Sequence, residues 1–230
     1  MGELTASIAH EVNQPLTAVV NNANFCLGLL PKNTKAIKEV REALSDIIND
    51  AERASTVITR VRQLARKAPI EWSRLDLKDV ITDVLALARH ESATRRVTIR
   101  VDLSKDLPSV AGDRVQLQQV LLNLVMNGMD AMSQVRDTNR LLIICGQREK
   151  QGGAIRALVS VQDSGTGFKP DEMDRLFEAF YSTKPQGMGM GLAISRSIIQ
   201  AHGGRLWAEA NQGPGATFLF SLPAADPTAS

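Results

Sequence analysis

Asn123-Leu124-Val125-Met126-Asn127-Gly128-Met129-Asp130-Ala131 sits in a run that is otherwise apolar from Val120 to Met132. Asn123, Asn127 and Asp130 are spaced four and three residues apart, so on a helix they share one face. Polar side chains in such a stretch are costly unless something satisfies them. They either bond local backbone or face a ligand, and asparagine carbonyls are hard oxygen donors suited to Mg2+ among waters and phosphate oxygens. The pattern predicts one long helix, capped by Asp113 and running to about Gln134.

Around this helix the chain alternates strands and helices. Upstream come a short strand near Arg74–Leu77, an amphipathic helix near Lys78–His90, a strand Val97–Leu103 and a turn at Ser104–Pro108. Downstream, strands Leu141–Glu149 and Ile155–Val161 flank a Gln151-Gly152-Gly153 turn. A helix near Leu192–His202 precedes a last hairpin, Arg205–Ala210 and Ala216–Leu222, turned by Gln212-Gly213-Pro214-Gly215. The expectation is an α+β two-layer sandwich over residues 73–225, a mixed sheet with helices on one face, ending in a loose tail at 226–230. His90 and His202 fall near expected helix ends and read as structural.

Two glycine-bearing stretches interrupt that order. Asp163-Ser164-Gly165-Thr166-Gly167-Phe168 follows a strand directly, without the third glycine and the helix of a dinucleotide fingerprint. A carboxylate ending a buried strand can accept from an adenine amino group and rejects guanine's carbonyl; an ordinary Asp-Gly turn has the same letters. Gly187-Met188-Gly189-Met190-Gly191-Leu192-Ala193-Ile194-Ser195 runs into a helix. Its glycines free backbone to wrap phosphates, the helix N-terminus offers oriented N–H groups, and Lys184 stands just before it as a cation. Between the two, Leu176-Phe177-Glu178-Ala179-Phe180-Tyr181 offers an aromatic plug in a long loop that could close over a nucleotide.

The first third is of another kind. Leu4, Ile8, Val12, Pro15 or Leu16, Val19, Ala23, Cys26 and Leu30 step by threes and fours, as do Ile37, Val40, Leu44, Ile47, Ala51, Ala54, Ile58, Val61 and Ala65. Pro31–Thr34 breaks the two runs, with Thr34 placed to cap the second, so residues 1–67 read as an antiparallel helical hairpin. A hairpin alone leaves part of its apolar stripe wet, and two copies forming a four-helix bundle would bury it. A homodimer through residues 1–67 is expected, with a linker at 68–72. His10 lies two residues from Ile8, about 200° round the helix, so it points off the seam. Glu11 adjoins it, and Pro15 cannot donate to the Glu11 carbonyl, which implies a bend just after His10.

Composition excludes several classes. The net charge is +2, from 27 basic and 25 acidic side chains, against bulk-charge binding of nucleic acid. Aromatics make up 4%, too few for a base-stacking platform. Cys26 and Cys145 lack metal-ligand spacing and read as reduced core thiols of a cytoplasmic protein. No run of about 18 apolar residues predicts a membrane span, and no signal peptide is evident. Helical pattern beginning almost at Met1 suggests part of a longer protein.

In their order and spacing, these motifs resemble the transmitter region of two-component sensor histidine kinases. The H box lies around His10, the N box at 123–131, the glycine boxes at 163–167 and 187–191, and the F box at 176–181. The His10–Leu16 stretch and Phe180-Tyr181-Ser182-Thr183-Lys184 are most similar to the nitrogen-fixation oxygen-sensor and nitrogen-regulation type. The resemblance spans nearly the whole chain. It implies a dimerisation and phosphotransfer hairpin, then an ATP-binding domain of the gyrase, chaperone, kinase and MutL type. By it, His10 is the phosphoacceptor and Glu11 its acid–base partner. Asn123, Asn127, Asp130, Asp163, Gly165, Gly167, Phe180, Lys184, Gly187, Gly189, Gly191 and Leu192 form the ATP site, with Asn127 on Mg2+. The phosphoryl group would pass to an aspartate of a response regulator.

Three residues depart from the family pattern. Gly128 stands where alanine is usual, at about 1 kcal/mol of helix stability and with no expected ligand contact. Ala179 replaces a common proline in the F box. Gln14 replaces the Thr or Asn that positions water for dephosphorylating the regulator, so weak or absent phosphatase activity is expected.

Overall fold

The computed structural model describes residues 17–26, 28, 37–47, 51, 72–133, 135, 140–169, 172–173, 175–182 and 189–225. The chain divides into two compact units, Met1–Ala68 and Pro69–Ser230.

In the first unit, residues 17–26 and 37–47 are helical. The Cys26 thiol donates to the Val40 carbonyl at 3.7 Å, which joins the two helices, and Cys26 and Ala43 are buried. The expected seam divides: Val19, Ala23, Val40 and Ile47 are half-buried, but Ile37 and Leu44 are exposed, as are Val20 and Phe25 beside them. Two helices supply only one facing surface, so the rest of each stripe meets solvent in a single chain. His10 and its phase, Glu11, Gln14, the Pro15 bend, the Thr34 cap and residues 52–71 lie outside the described residues, as does the 226–230 tail.

The second unit runs β1 (Ser73–Leu75), α1 (Leu77–Arg95), β2 (Thr98–Leu103), β3 (Val110–Gly112), α2 (Arg114–Ser133), β4 (Leu141–Gln151), β5 (Ala154–Asp163), α3 (Gly191–Ala201), β6 (Arg205–Ala210) and β7 (Ala216–Pro223). Five strands form a mixed sheet in the order β2-β4-β5-β7-β6. β2 and β4 are parallel and the other pairs antiparallel. α1 packs on β2, α2 on β4 and β5, and α3 on β6 and β7. Between the layers lie Leu117, Leu121, Leu124 and Met129 of α2, at helical spacing, with Leu142, Ile144, Ile199 and Phe220, all wholly buried.

Several boundaries differ from the sequence reading for local reasons. β1 ends at Leu75, not Leu77, because the Asp76 carboxylate accepts from Lys78 N–H at 2.8 Å and starts α1 there. α1 continues five residues past His90 to Arg95, where left-handed Arg96 (φ 54°) ends it. His90 is therefore an exposed residue within the helix. β3 was not expected; at three residues it is too short to show alternation, and it pairs antiparallel with β1. β4 and β5 meet in a two-residue turn, Gly152-Gly153, with both residues at positive φ, as such hairpins require. Cys145 is half-buried rather than in the core, and both cysteines are free.

Asp113 caps α2 as read, accepting from Val115 N–H at 2.9 Å and Gln116 N–H at 3.1 Å. Buried His202 holds that cap from behind. Its Nε2 accepts from Asp113 N–H at 3.0 Å, so Nδ1 carries the proton and donates to the Ile198 carbonyl at 2.8 Å. The Trp72 ring lies against it, centroids 5.2 Å apart. One neutral imidazole thus ties the start of α2 to the end of α3.

Candidate functional site

The polar face of α2 lies between the end of β5 and the start of α3. Asn123 Nδ2 donates to Ser195 Oγ of α3 at 3.0 Å, and Ser195 is itself buried. A Cβ on Gly191 would stand 2.4 Å from Asn123 Oδ1, so glycine is what lets α3 begin against this asparagine. Met190 offers no side-chain cap to α3. The first-turn N–H groups of a helix have no intrahelical partner, so the start of α3 is suited to receive an anion. Half-buried Leu192 packs on the core beside it.

One turn on, Asn127 is half-buried, and among the described residues its amide has no hydrogen-bond partner. A hard carbonyl donor left open in a half-buried position fits Mg2+. Asp130 is engaged instead: Arg95, at the end of α1, donates from Nη1 to its carboxylate.

Asp163 ends β5 at 3% exposure. Its Oδ1 accepts from Gly165 N–H at 2.8 Å, and its main-chain carbonyl accepts from Asn211 Nδ2 at 3.0 Å. Glycines make this corner possible. A Cβ on Gly165 would fall 2.6–2.8 Å from the Ala131 backbone and methyl, and one on Gly215 (φ 93°) only 1.9 Å from the Asp163 carbonyl. Gly167 has φ 66° and rests on Gly215. Gly128 belongs to the same packing. A Cβ there would lie 2.5 Å from Leu142 Cδ1 and 3.3 Å from Asp163 Cβ, so its absence lets α2 approach the carboxylate. The expectation that Gly128 only weakens the helix is corrected accordingly.

Phe180 takes φ 70°, rare for a bulky residue, and its N–H donates to the Gly189 carbonyl at 3.1 Å. Gly189, at φ 63°, could carry no Cβ, which would sit 2.4 Å from Phe180 C. Arg175 lies 4.4 Å over the Tyr181 ring and Arg196 5.5 Å over Phe177. Lys184 and Gly187 lie outside the described residues.

The structure therefore gathers Asn123, Asn127, Gly128, Asp163, Gly165 and Gly191 at one place, with Phe180 and Gly189 joined beside α3. Sequence reasoning gave no part to Ser195, Asn211, Gly215 or Arg95. Ser195 closed a quoted motif, but its asparagine partner is 72 residues away. Gly215 reads only as part of the Gln212–Gly215 turn, and Asn211 and Arg95 belong to no motif in the sequence.

Residues 112–226 match the family described as histidine kinase-, DNA gyrase B- and HSP90-like ATPase. Residues 1–69 match the His Kinase A (phospho-acceptor) domain. The chain belongs to the sensor histidine kinase family. Sensor histidine kinase TmoS of Ectopseudomonas mendocina is 40% identical over 224 residues, 97% of this chain and 23% of TmoS. Sensor protein FixL of Bradyrhizobium diazoefficiens is 40% identical over 227 residues, 98% of this chain and 44% of FixL. This sensor kinase chain thus spans less than half the length of either relative. The catalytic domain of histidine kinase ThkA superposes with a TM-score of 0.59 at 29% identity, covering 67% of this chain and 96% of that one. Histidine kinase ThkA in complex with response regulator protein TrrA gives 0.74 at 24% identity, covering 99% of this chain and 63% of ThkA, a likeness of fold. Among the described residues, no helix is long and apolar enough to cross a membrane.

Proposed function

We propose that this chain is the catalytic core of a sensor kinase that phosphorylates His10 from ATP and passes the phosphoryl group to an aspartate of a response regulator. The observation that carries the reading is the juxtaposition of buried Asp163 with the Asn123–Asn127 face of α2 and the start of α3. The Asp163 carboxylate accepts from the adenine amino group. Asn127 would hold Mg2+, which would supply neutralisation of phosphate charge. The first-turn amides of α3, the glycines through Gly191 and Lys184 hold the phosphates, and Phe180 anchors the loop that covers them.

The chemistry follows from the residues. Neutral imidazole is nucleophilic near pH 7. As the His10 N–P bond forms, the bond from the γ-phosphorus to the bridging oxygen breaks, ADP leaves, and the imidazole proton passes to Glu11. The second transfer moves the phosphoryl group from that nitrogen to a regulator carboxylate. Residues 1–67 act as hairpin and dimer interface, 68–72 as linker and 73–225 as nucleotide domain. Exposed Val20, Phe25, Ile37 and Leu44 support the dimer, since burying each is worth about 1.5–3 kcal/mol. The chain works in the cytoplasm, as a part of a larger sensor, and Gln14 leaves it a poor phosphatase of its regulator.

Incubation with γ-labelled ATP tests the reading. Wild type takes up acid-labile, alkali-stable label with Mg2+ and none when a chelator is present from the start, and Asn127→Ala takes up none. Undiminished label in Asn127→Ala, or without Mg2+, would contradict the assignment.

A further inference from the structure

Of Asn123, Asn127 and Asp130, only Asp130 carries a charge. Among the described residues the Asn127 amide has no hydrogen-bond partner, whereas Asp130 accepts from Arg95, whose Nε also donates to Glu91 at 2.5 Å. The Arg95 side chain is 27% exposed and that of Asp130 36%, so water screens the pair only in part. The end of α1 that carries Arg95 is itself fixed: the Arg95 carbonyl accepts from Arg140 Nη1 at 2.8 Å, and Arg140 Nη2 donates to the Val135 carbonyl at 3.2 Å. Burial works to lower the Arg95 pKa, and the bonds with Asp130 and then Glu91 outweigh it, leaving it raised. A packed basic residue therefore meets an acid one turn beyond the asparagine assigned to Mg2+.

Resting on that nucleotide reading, we propose that Arg95 is a positioning residue of the site. By holding Asp130 in an ion pair it cancels a negative charge that this face of α2 otherwise presents to a polyphosphate. It thereby favours the anionic nucleotide over the neutral nucleoside. Unit like charges about 10 Å apart, at the effective dielectric of about 20 that suits a partly screened site, are strong enough to change affinity about tenfold. A mere clamp between α1 and α2 would hold every ligand, charged or not, to the same degree.

The test is titration of the 230-residue chain with adenosine, ADP and ATP at fixed Mg2+. Arg95→Gln weakens ATP about tenfold, ADP less, and adenosine not at all. Arg95→Lys recovers most of the loss, and Arg95→Gln with Asp130→Asn returns ATP to within about twofold of wild type. Asp130→Asn alone keeps the arginine and binds ATP more tightly than wild type, an outcome that survives if Arg95→Gln does not fold. Raised salt narrows every difference. Equal weakening of all three ligands, no recovery in the double variant, or Asp130→Asn binding ATP no better would overturn the inference alone. Wild type binding none of the three would overturn the nucleotide reading with it.

Discussion

Gly128→Ala puts the packing around Asp163 to a direct test. Judged by helix propensity, alanine should stabilise α2 by about 1 kcal/mol. The structure adds an opposing cost, because the new methyl falls 2.5 Å from Leu142 Cδ1 and 3.3 Å from Asp163 Cβ. Leu142 is wholly buried, so its side chain can give way only by displacing other core atoms. Overpacking of that kind costs about 1–3 kcal/mol. The net expectation is a loss of about 0–2 kcal/mol, with weaker nucleotide binding because Asp163 shares the strain. The only two tryptophans, Trp72 and Trp207, both lie in the second unit, so urea unfolding followed by fluorescence reports that unit directly. Leu142→Val alone loses about 1 kcal/mol, and in the Gly128→Ala background it loses much less, a coupling of about 1 kcal/mol. A Gly128→Ala protein more stable than wild type by the full propensity gain would refute the packing argument.

Three further outcomes are expected. Asp163→Asn loses at least about tenfold in ATP affinity and most of its preference over GTP, by calorimetric titration, because an amide both donates and accepts where the carboxylate only accepts. His202→Ala costs about 1–3 kcal/mol in the same unfolding assay, since Asp113 N–H loses a buried acceptor; a change below about 0.5 kcal/mol would show the imidazole is not needed there. Gly215→Ala impairs folding or nucleotide binding severely, while Gly213→Ala, two residues away with nothing within 4 Å of its Cβ position, is nearly silent.

What could be read from the chain was what local pattern encodes. The apolar stripe of α2, its Asp113 cap, the strands on either side of Gly152-Gly153 and the final hairpin all follow from spacing within one element. The shared face of Asn123, Asn127 and Asp130 was legible for the same reason. What escaped depends on contacts distant in sequence. β3 exists because β1 pairs with it, and the length of α1 is set by one left-handed residue, Arg96. His202 looked like an ordinary helix-end histidine, yet it bonds Asp113 across 89 positions. Gly128 and Gly215 looked like a weak helix residue and a turn residue, and their reason is the space that Asp163 needs. Arg95 meets Asp130 only because α1 and α2 lie side by side.

The claim on which the account rests is that His10 receives the phosphoryl group. Wild type and His10→Gln, incubated with γ-labelled ATP and Mg2+ and followed by phosphopeptide mapping, test it most directly. The account predicts label on the peptide carrying His10 in wild type and none anywhere in His10→Gln, with ATP affinity unchanged between the two. Label of equal amount in His10→Gln, or wild-type label mapped to another residue, would contradict it.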